Sequence, residues 1–157
     1  MDVDAVWGEI EAVYRGGFAR FERVARATTG DRELAREAVQ DGFADALRGA
    51  HGYVGRGSVE AWVWRCVVNR ARKARRAPVP HAGPPSANGH HDADLTAVRL
   101  RVAALPERQR LAVFLRYYAG LGYREIAEVL EIEVGTVSAT LSAAHAALRA
   151  DLEESVR

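Results

Sequence analysis

A lone cysteine, Cys66, excludes an intramolecular disulfide in this chain of 157 residues. No uncharged apolar run approaches the roughly 18 residues of a membrane span, so insertion into a membrane is not expected. The opening stretch MDVDAVW is acidic and lacks the basic start of a secretory signal, which makes a reducing cytoplasm the expected compartment. Period-2 alternation is missing and β-branched residues are scattered, which argues against strands. There is no nucleotide-binding glycine loop and no recognisable pairing of nucleophile with base, so an enzyme is the least favoured class. Net charge is also nearly absent, at +1.

That small total hides an asymmetry. Residues 1–77 hold fourteen Lys and Arg against eleven Asp and Glu, a net of +3, whereas residues 95–157 hold eight of each sign. Attraction for nucleic acid should therefore concentrate in the first half. With 48% hydrophobic and 27% charged residues, the chain can form one ordinary domain or two very small ones.

Helical periods fill the sequence, and the expected fold class is all-α. The first helix is predicted from about Asp4 to Thr28 through Val13, Phe18, Phe21, Val24 and Ala25, with Gly30 as its C-terminal cap. Asp31 can cap a second helix over 32–48, whose expected core stripe is Leu34, Ala38, Phe43, Ala46 and Leu47. The stretch GAHGYVGRGS breaks it, and Ser58 can cap a third helix running to about Arg76.

On that third helix, at 100° per residue, Arg65, Asn69, Arg72 and Arg76 share a narrow arc opposite Val63, Val67, Ala71 and Ala74. Six cations and no acid lie between Arg65 and Arg76, so the helix does not neutralise its own stripe with i,i+4 pairs. A basic helix with an amide and a nearby indole, Trp62, can hold phosphates, meet a base edge and stack on an unpaired base. The same pattern fits a solvated, arginine-rich helix end with Trp62 in the core.

Residues 78–92, PVPHAGPPSANGHHD, contain four of the five prolines and read as a flexible linker. Fully stretched it spans about 50 Å, and as a coil roughly 20 Å, which permits two separately placed domains over 1–77 and 93–157. Its His81, His90 and His91 match no zinc spacing, so neither a metal site nor any cofactor is expected.

Beyond the linker, Asp92 or Asp94 can cap a helix through Leu95, Val98, Leu100 and Val102, and a further helix is predicted from Pro106 to Ala119. A short helix at about 123–130, a tight turn and a long helix at about 134–153 then give helix-turn-helix spacing, although an ordinary helical hairpin has the same apolar pattern. Thr136 sits at the start of the second of these helices, where phosphates are favoured.

Both halves resemble one family. TGDRELAREAVQDGFADAL followed by SVEAWVWRCVVNRARKARR resembles region 2 of a bacterial RNA polymerase sigma factor. LPERQRLAVFLRYYAGLGYREIAEVLEIEVGTV resembles region 4. Their order and the short linker are similar to the extracytoplasmic-function (ECF) group of the sigma-70 family. The resemblance implies that Glu37, Gln40 and Asp41 dock on the clamp coiled coil of the polymerase β′ subunit. It implies that Tyr53, Arg56, Trp62 and Asn69 read and open the minus-10 element, with Arg65 on the same face and Arg72, Lys73 and Arg76 on phosphates. It further implies that region 4 reads the minus-35 element and touches the β flap of core polymerase, and that an anti-sigma factor is a partner.

The chain departs from the family in its last helix. GTVSATLSAAHAALR stands where a pattern such as GTVKSRLHRARARLR is usual, so Ser138, Thr140, Ala143 and His145 occupy customarily basic positions. Arg124 is left as a phosphate contact, and Ser138, Thr140 and Ser142 as groups for base edges. Glu131 stands where the family favours glycine; a left-handed residue there costs on the order of 1 kcal/mol. The alanines at 139, 143, 144, 146 and 147 suit close packing against another protein, and fit as well packing within region 4 or a simple preference for helix. Two other classes fit parts of this pattern: a polymerase- or regulator-docking module that has lost promoter opening, and a LuxR-like helix-turn-helix regulator acting without polymerase.

Overall fold

The computed structural model describes residues 2–76 and 93–156. Among them there are helices and turns and no strand: α1 (Val3–Thr29), α2 (Arg32–Arg48), a 3-10 turn (Ala50–Gly52), α3 (Val59–Arg76), α4 (Ala93–Ala104), α5 (Glu107–Val113), α6 (Tyr123–Leu130) and α7 (Val134–Val156). The predicted caps form. Gly30 takes the left-handed conformation and its N–H reaches Arg26 O, while Asp31 Oδ1 accepts from Leu34 N at 2.9 Å.

The first three helices wrap around aromatic rings. Phe21 of α1 stacks on Trp64 of α3, with centroids 3.8 Å apart, and meets Phe43 of α2 edge-on at 5.1 Å. Trp64, Phe21, Val63 and Val67 are fully buried. The crossing of α2 and α3 is close because Gly42 lacks a side chain: a Cβ there would come within 2.6 Å of Val67 Cα. The predicted stripe of α2 is rotated from its expected position. Ala35 and Val39 join Ala38, Phe43 and Ala46 in the core, Leu34 is half-buried, and Leu47 is 42% exposed at the helix end. There its carbonyl accepts from Trp7 Nε1 at 3.3 Å.

In the second half, Arg110 of α5 is almost wholly buried, and its guanidinium donates to Ala103 O and Leu105 O, both at 3.0 Å. These bonds close the C-terminus of α4, and burial lowers the Arg110 pKa. On α4, Val98 and Leu100 are exposed rather than packed. Asp94 lies within that helix, and a cap at Asp92 lies outside the described residues. The helix predicted to continue to Ala119 changes its winding at a π-turn over Phe114–Tyr118, with Ala119 N–H reaching back to Phe114 O at 3.0 Å. After it α6 and α7 cross as a helix-turn-helix around Ile126, Val129, Leu130, Val137 and Leu141. The turn between them holds Glu131 at φ 56°, ψ 46°, the left-handed conformation expected from its position.

The two halves pack on each other. α3 lies against α6 and α1 against α5, and one buried cluster runs from Phe21 and Trp64 to Leu115 and Ile126. Arg20, held by Glu60 Oε1 of α3 at 3.3 Å, fastens the seam by donating to Ala119 O at 3.3 Å, and Arg23 bonds the Tyr118 hydroxyl.

Candidate nucleic-acid interface

The loop between α2 and α3 carries Tyr53, half-buried against the core, and the basic residue Arg56. Tyr53 donates its hydroxyl to Gly57 O at 2.6 Å, which ties the loop across its neck. Burial, with the charges of Glu9 and Glu128, raises the Tyr53 pKa, so the hydroxyl stays a donor. Ser58 Oγ accepts from Ala61 N at 3.1 Å and caps α3 as predicted. Arg56 is exposed at the loop tip. Trp62, one turn into α3, is half-buried: its N–H points to Ala46 O at 3.4 Å, and its ring lies edge-on to Tyr53 at 6.1 Å. The core tryptophan is its neighbour, Trp64. Two residues apart on a helix lie about 200° apart around the axis, so only one of the pair can face inward.

Along α3, Val63, Val67 and Ala71 are buried as predicted, Arg65 and Lys73 are exposed, and Asn69 and Arg72 are half-buried. Arg76 closes the helix, and its side chain lies outside the described residues. Arg70 turns away from the stripe and grips Asp45 of α2 with two bonds of 2.5 and 2.8 Å, while Arg48 adds a third at 2.6 Å. Arg70 thereby holds the Asp45 carboxyl at a pKa of about 2, below its usual 3.8, against a smaller opposing effect of burial. A depressed carboxylate contributes stability above its unfolded pKa and loses it as pH falls from about 4 to about 2. Asp45→Asn should therefore make the acid-unfolding curve shallower between about pH 4 and 2, as followed by helical circular dichroism.

Cys66 is half-buried beside this pair, and burial pushes its thiol up to about 11. The stripe itself, which has no acid between Arg65 and Arg76, is met by acids from the second half. Arg65 pairs with Glu131 at 2.6 Å, and Arg72 and Arg75 pair with Glu107 at 3.0 and 3.4 Å. These partners are 66, 35 and 32 residues away, beyond the reach of any local periodicity. The spacing of Glu125, Glu128 and Glu131 along one helix edge was the available signal for the acidic side.

The α7 face is as poor in charge as its sequence. Ser138 and Ser142 are exposed, and Arg124 is exposed on α6. Thr140 is buried and its hydroxyl donates to Thr136 O at 2.6 Å, which removes it from the groups that can meet a base. A threonine that bonds back four residues satisfies its own hydroxyl within the helix. Thr136 is half-buried in the first turn of α7, and His145 faces the Tyr117 hydroxyl at 2.8 Å. Of the alanines, Ala139, Ala143 and Ala146 are exposed, Ala147 is half-buried and Ala144 is in the core. On α2, Glu37, Gln40 and Asp41 form an exposed polar edge beside buried Ala38 and Val39.

Among the described residues, no group of His, Cys, Asp and Glu could hold a metal ion, and no helix is long and apolar enough to cross a membrane. The three linker histidines lie outside those residues.

Comparison with known proteins matches both halves. The family model for sigma-70 region 2 matches residues 19–77, and that for sigma-70 region 4 matches residues 95–148. The ECF RNA polymerase sigma factor SigM of Mycobacterium tuberculosis is 30% identical over 145 residues, covering 88% of this chain and 74% of that protein. The RNA polymerase sigma-H factor of Pseudomonas aeruginosa is 27% identical over 149 residues, covering 81% and 77%. In fold, the chain is similar to CnrH, solved in complex with the cytosolic domain of CnrY, with a TM-score of 0.69 at 24% identity over 92% of this chain and 86% of that one. It is also similar to the sigma factor RpoE, solved with the anti-sigma factor NepR from Bartonella quintana, with a TM-score of 0.72 at 17% identity over 92% and 97%.

Proposed function

The chain belongs to the ECF group of the sigma-70 family of RNA polymerase sigma factors, and from that premise we propose that its first half dominates promoter engagement. Such a factor binds core RNA polymerase and directs promoter-specific transcription initiation. The observation that carries our reading is the contrast between two helices: α3 with its loop presents Tyr53, Arg56, Trp62, Arg65 and Lys73, whereas the surface of α7 offers Ser138 and Ser142.

In this reading residues 1–77 form region 2, residues 78–92 the linker, and residues 93–157 region 4. The edge Glu37, Gln40 and Asp41 docks on the β′ clamp coiled coil. Tyr53, Trp62 and Asn69 receive bases freed from the minus-10 duplex, and Arg56, Arg65, Arg72, Lys73 and Arg76 hold the backbone. Opening follows because the protein binds the single strand better than the duplex: stacking and trapping of flipped bases offset an unpairing cost of a few kcal/mol. The chain itself makes and breaks no bond.

Region 4 serves mainly to dock on polymerase, at the β flap, with Arg124, Thr136, Ser138 and Ser142 giving weak minus-35 contacts. Having few cations there lowers the affinity and flattens its salt dependence. The presence of CnrY and NepR in the two solved complexes supports a protein regulator as a further partner here. The setting is the cytoplasm. No finding favours the docking module or the lone helix-turn-helix regulator over this reading.

The test is open-complex formation by core polymerase on the promoter of the protein's own operon, read by permanganate. Thymines around minus 10 should become reactive only when the protein is present, and scrambling the minus-35 element should reduce the signal modestly. Binding to core without any reactivity would replace this reading with the docking module.

A further inference from the structure

Two indoles converge on the end of α2. The last carbonyls of a helix have no partner within it, and here Ala46 O accepts from Trp62 Nε1 of α3 at 3.4 Å while Leu47 O accepts from Trp7 Nε1 of α1 at 3.3 Å. The helix end is gripped from both sides. Directly after it the chain enters the 3-10 turn Ala50–Gly52 and the loop that carries Tyr53 and Arg56. Trp62 lies over that entry, because a Cβ at Gly49 would come within 2.8 Å of its ring. On the other side the ring of Trp7 meets exposed His51 edge-on, with centroids 6.1 Å apart, and Val6, Ile10 and Ala50 are buried in the core beneath.

Trp7 is 42% exposed and stands ahead of residue 19, where the match to region 2 begins. A ring left so open gains only part of the stabilisation that burial gives. Its contacts point instead to the chain entering the loop: the carbonyl of Leu47 and the ring of His51.

We propose that Trp7 is a positioning residue for minus-10 recognition, holding the end of α2 and the 3-10 turn so that Tyr53 and Arg56 keep their places while Trp62 takes a base. The inference rests on the assignment of Trp62 and its loop to the minus-10 element. Trp62 has two tasks that compete, since a ring that tilts to stack on a base carries its N–H away from Ala46 O. Trp7 needs to touch no DNA, so its bond to Leu47 O persists through that movement. Groups that read a base keep their precision only while the residues behind them are held.

The experiment uses the full chain with core polymerase and two variants, Trp7→Phe and Trp7→Ala. Phenylalanine keeps a ring beside His51 and discards the N–H, so it carries the test even where alanine lowers helicity. Permanganate reactivity is read at saturating protein on the promoter of the protein's own operon and on a copy with one minus-10 base pair changed. Trp7→Phe should bind core as tightly as the wild type and lower opening on the native promoter by about two- to twelvefold, the fold-change that one net hydrogen bond carries. The preference for the native over the altered promoter should shrink with it. A variant that had merely lost stability would lose opening on both promoters in the same proportion, and that result overturns the proposal, as does unchanged opening. Trp62→Ala is measured alongside. If it too leaves opening unchanged, the assignment of the reading loop fails, and this inference with it.

Discussion

Replacing Trp64 with alanine is expected to cost about 3–5 kcal/mol, the range for emptying a buried aromatic site. Trp64 is fully buried, stacked on Phe21 and central to the packing of α1, α2 and α3. Small domains have about 5–15 kcal/mol in total, so the loss would leave the first half partly unfolded at growth temperature. Chemical denaturation followed by circular dichroism checks it. Trp64→Phe is the informative companion. Among the described residues the indole N–H of Trp64 has no hydrogen-bond partner, and burying such a group costs about 1–3 kcal/mol. Phenylalanine keeps a ring on Phe21 and discards that N–H, so it should lose less than half of what alanine loses. Equal losses would show that the indole volume matters more than its ring contact.

Two positions earlier in the chain the expectation inverts. Trp62→Ala should fold, because the ring is only half-buried, yet it should reduce promoter opening by about five- to 150-fold, from the roughly 1–3 kcal/mol that stacking contributes per base. Arg56→Ala and Lys73→Ala should each lower the slope of log affinity against log salt by about 0.7 for single-stranded DNA. Ser138→Ala with Ser142→Ala should change opening by less than twofold, an estimate that follows from the absence of charge at those sites. Permanganate footprints and a salt titration of oligonucleotide binding measure these together. A pattern in which the α7 serines outweigh Trp62 would return promoter reading to the second half.

What the sequence made legible was local. Asp31, Ser58 and Gly30 mark helix ends because each cap is decided by bonds to residues three or four away. Glu131 was readable as left-handed through the resemblance alone, because it stands where the family favours glycine. The inward and outward faces of α3 followed from a period of 3.6. Long-range choices were not legible. Leu47 fits the α2 period, but the helix ends there and its carbonyl serves Trp7 instead. Thr140 looks like a surface hydroxyl until its bond to Thr136 O turns it inward. FLRYY has nothing to distinguish it from an ordinary helix, yet it winds as a π-turn. The pairing of Glu107 and Glu131 with the α3 arginines joins segments on either side of the linker, and no periodicity spans that gap.

The thiol of Cys66 carries a practical consequence. With its pKa at about 11, only about one molecule in ten thousand is a thiolate at pH 7, and the thiolate is the reactive form. Maleimides and peroxide should therefore pass over it. A cysteine introduced at exposed Ala143 would take a fluorophore while the native thiol stays silent. The protein can be labelled at a chosen point, and followed onto polymerase one molecule at a time, without first being stripped of its own cysteine.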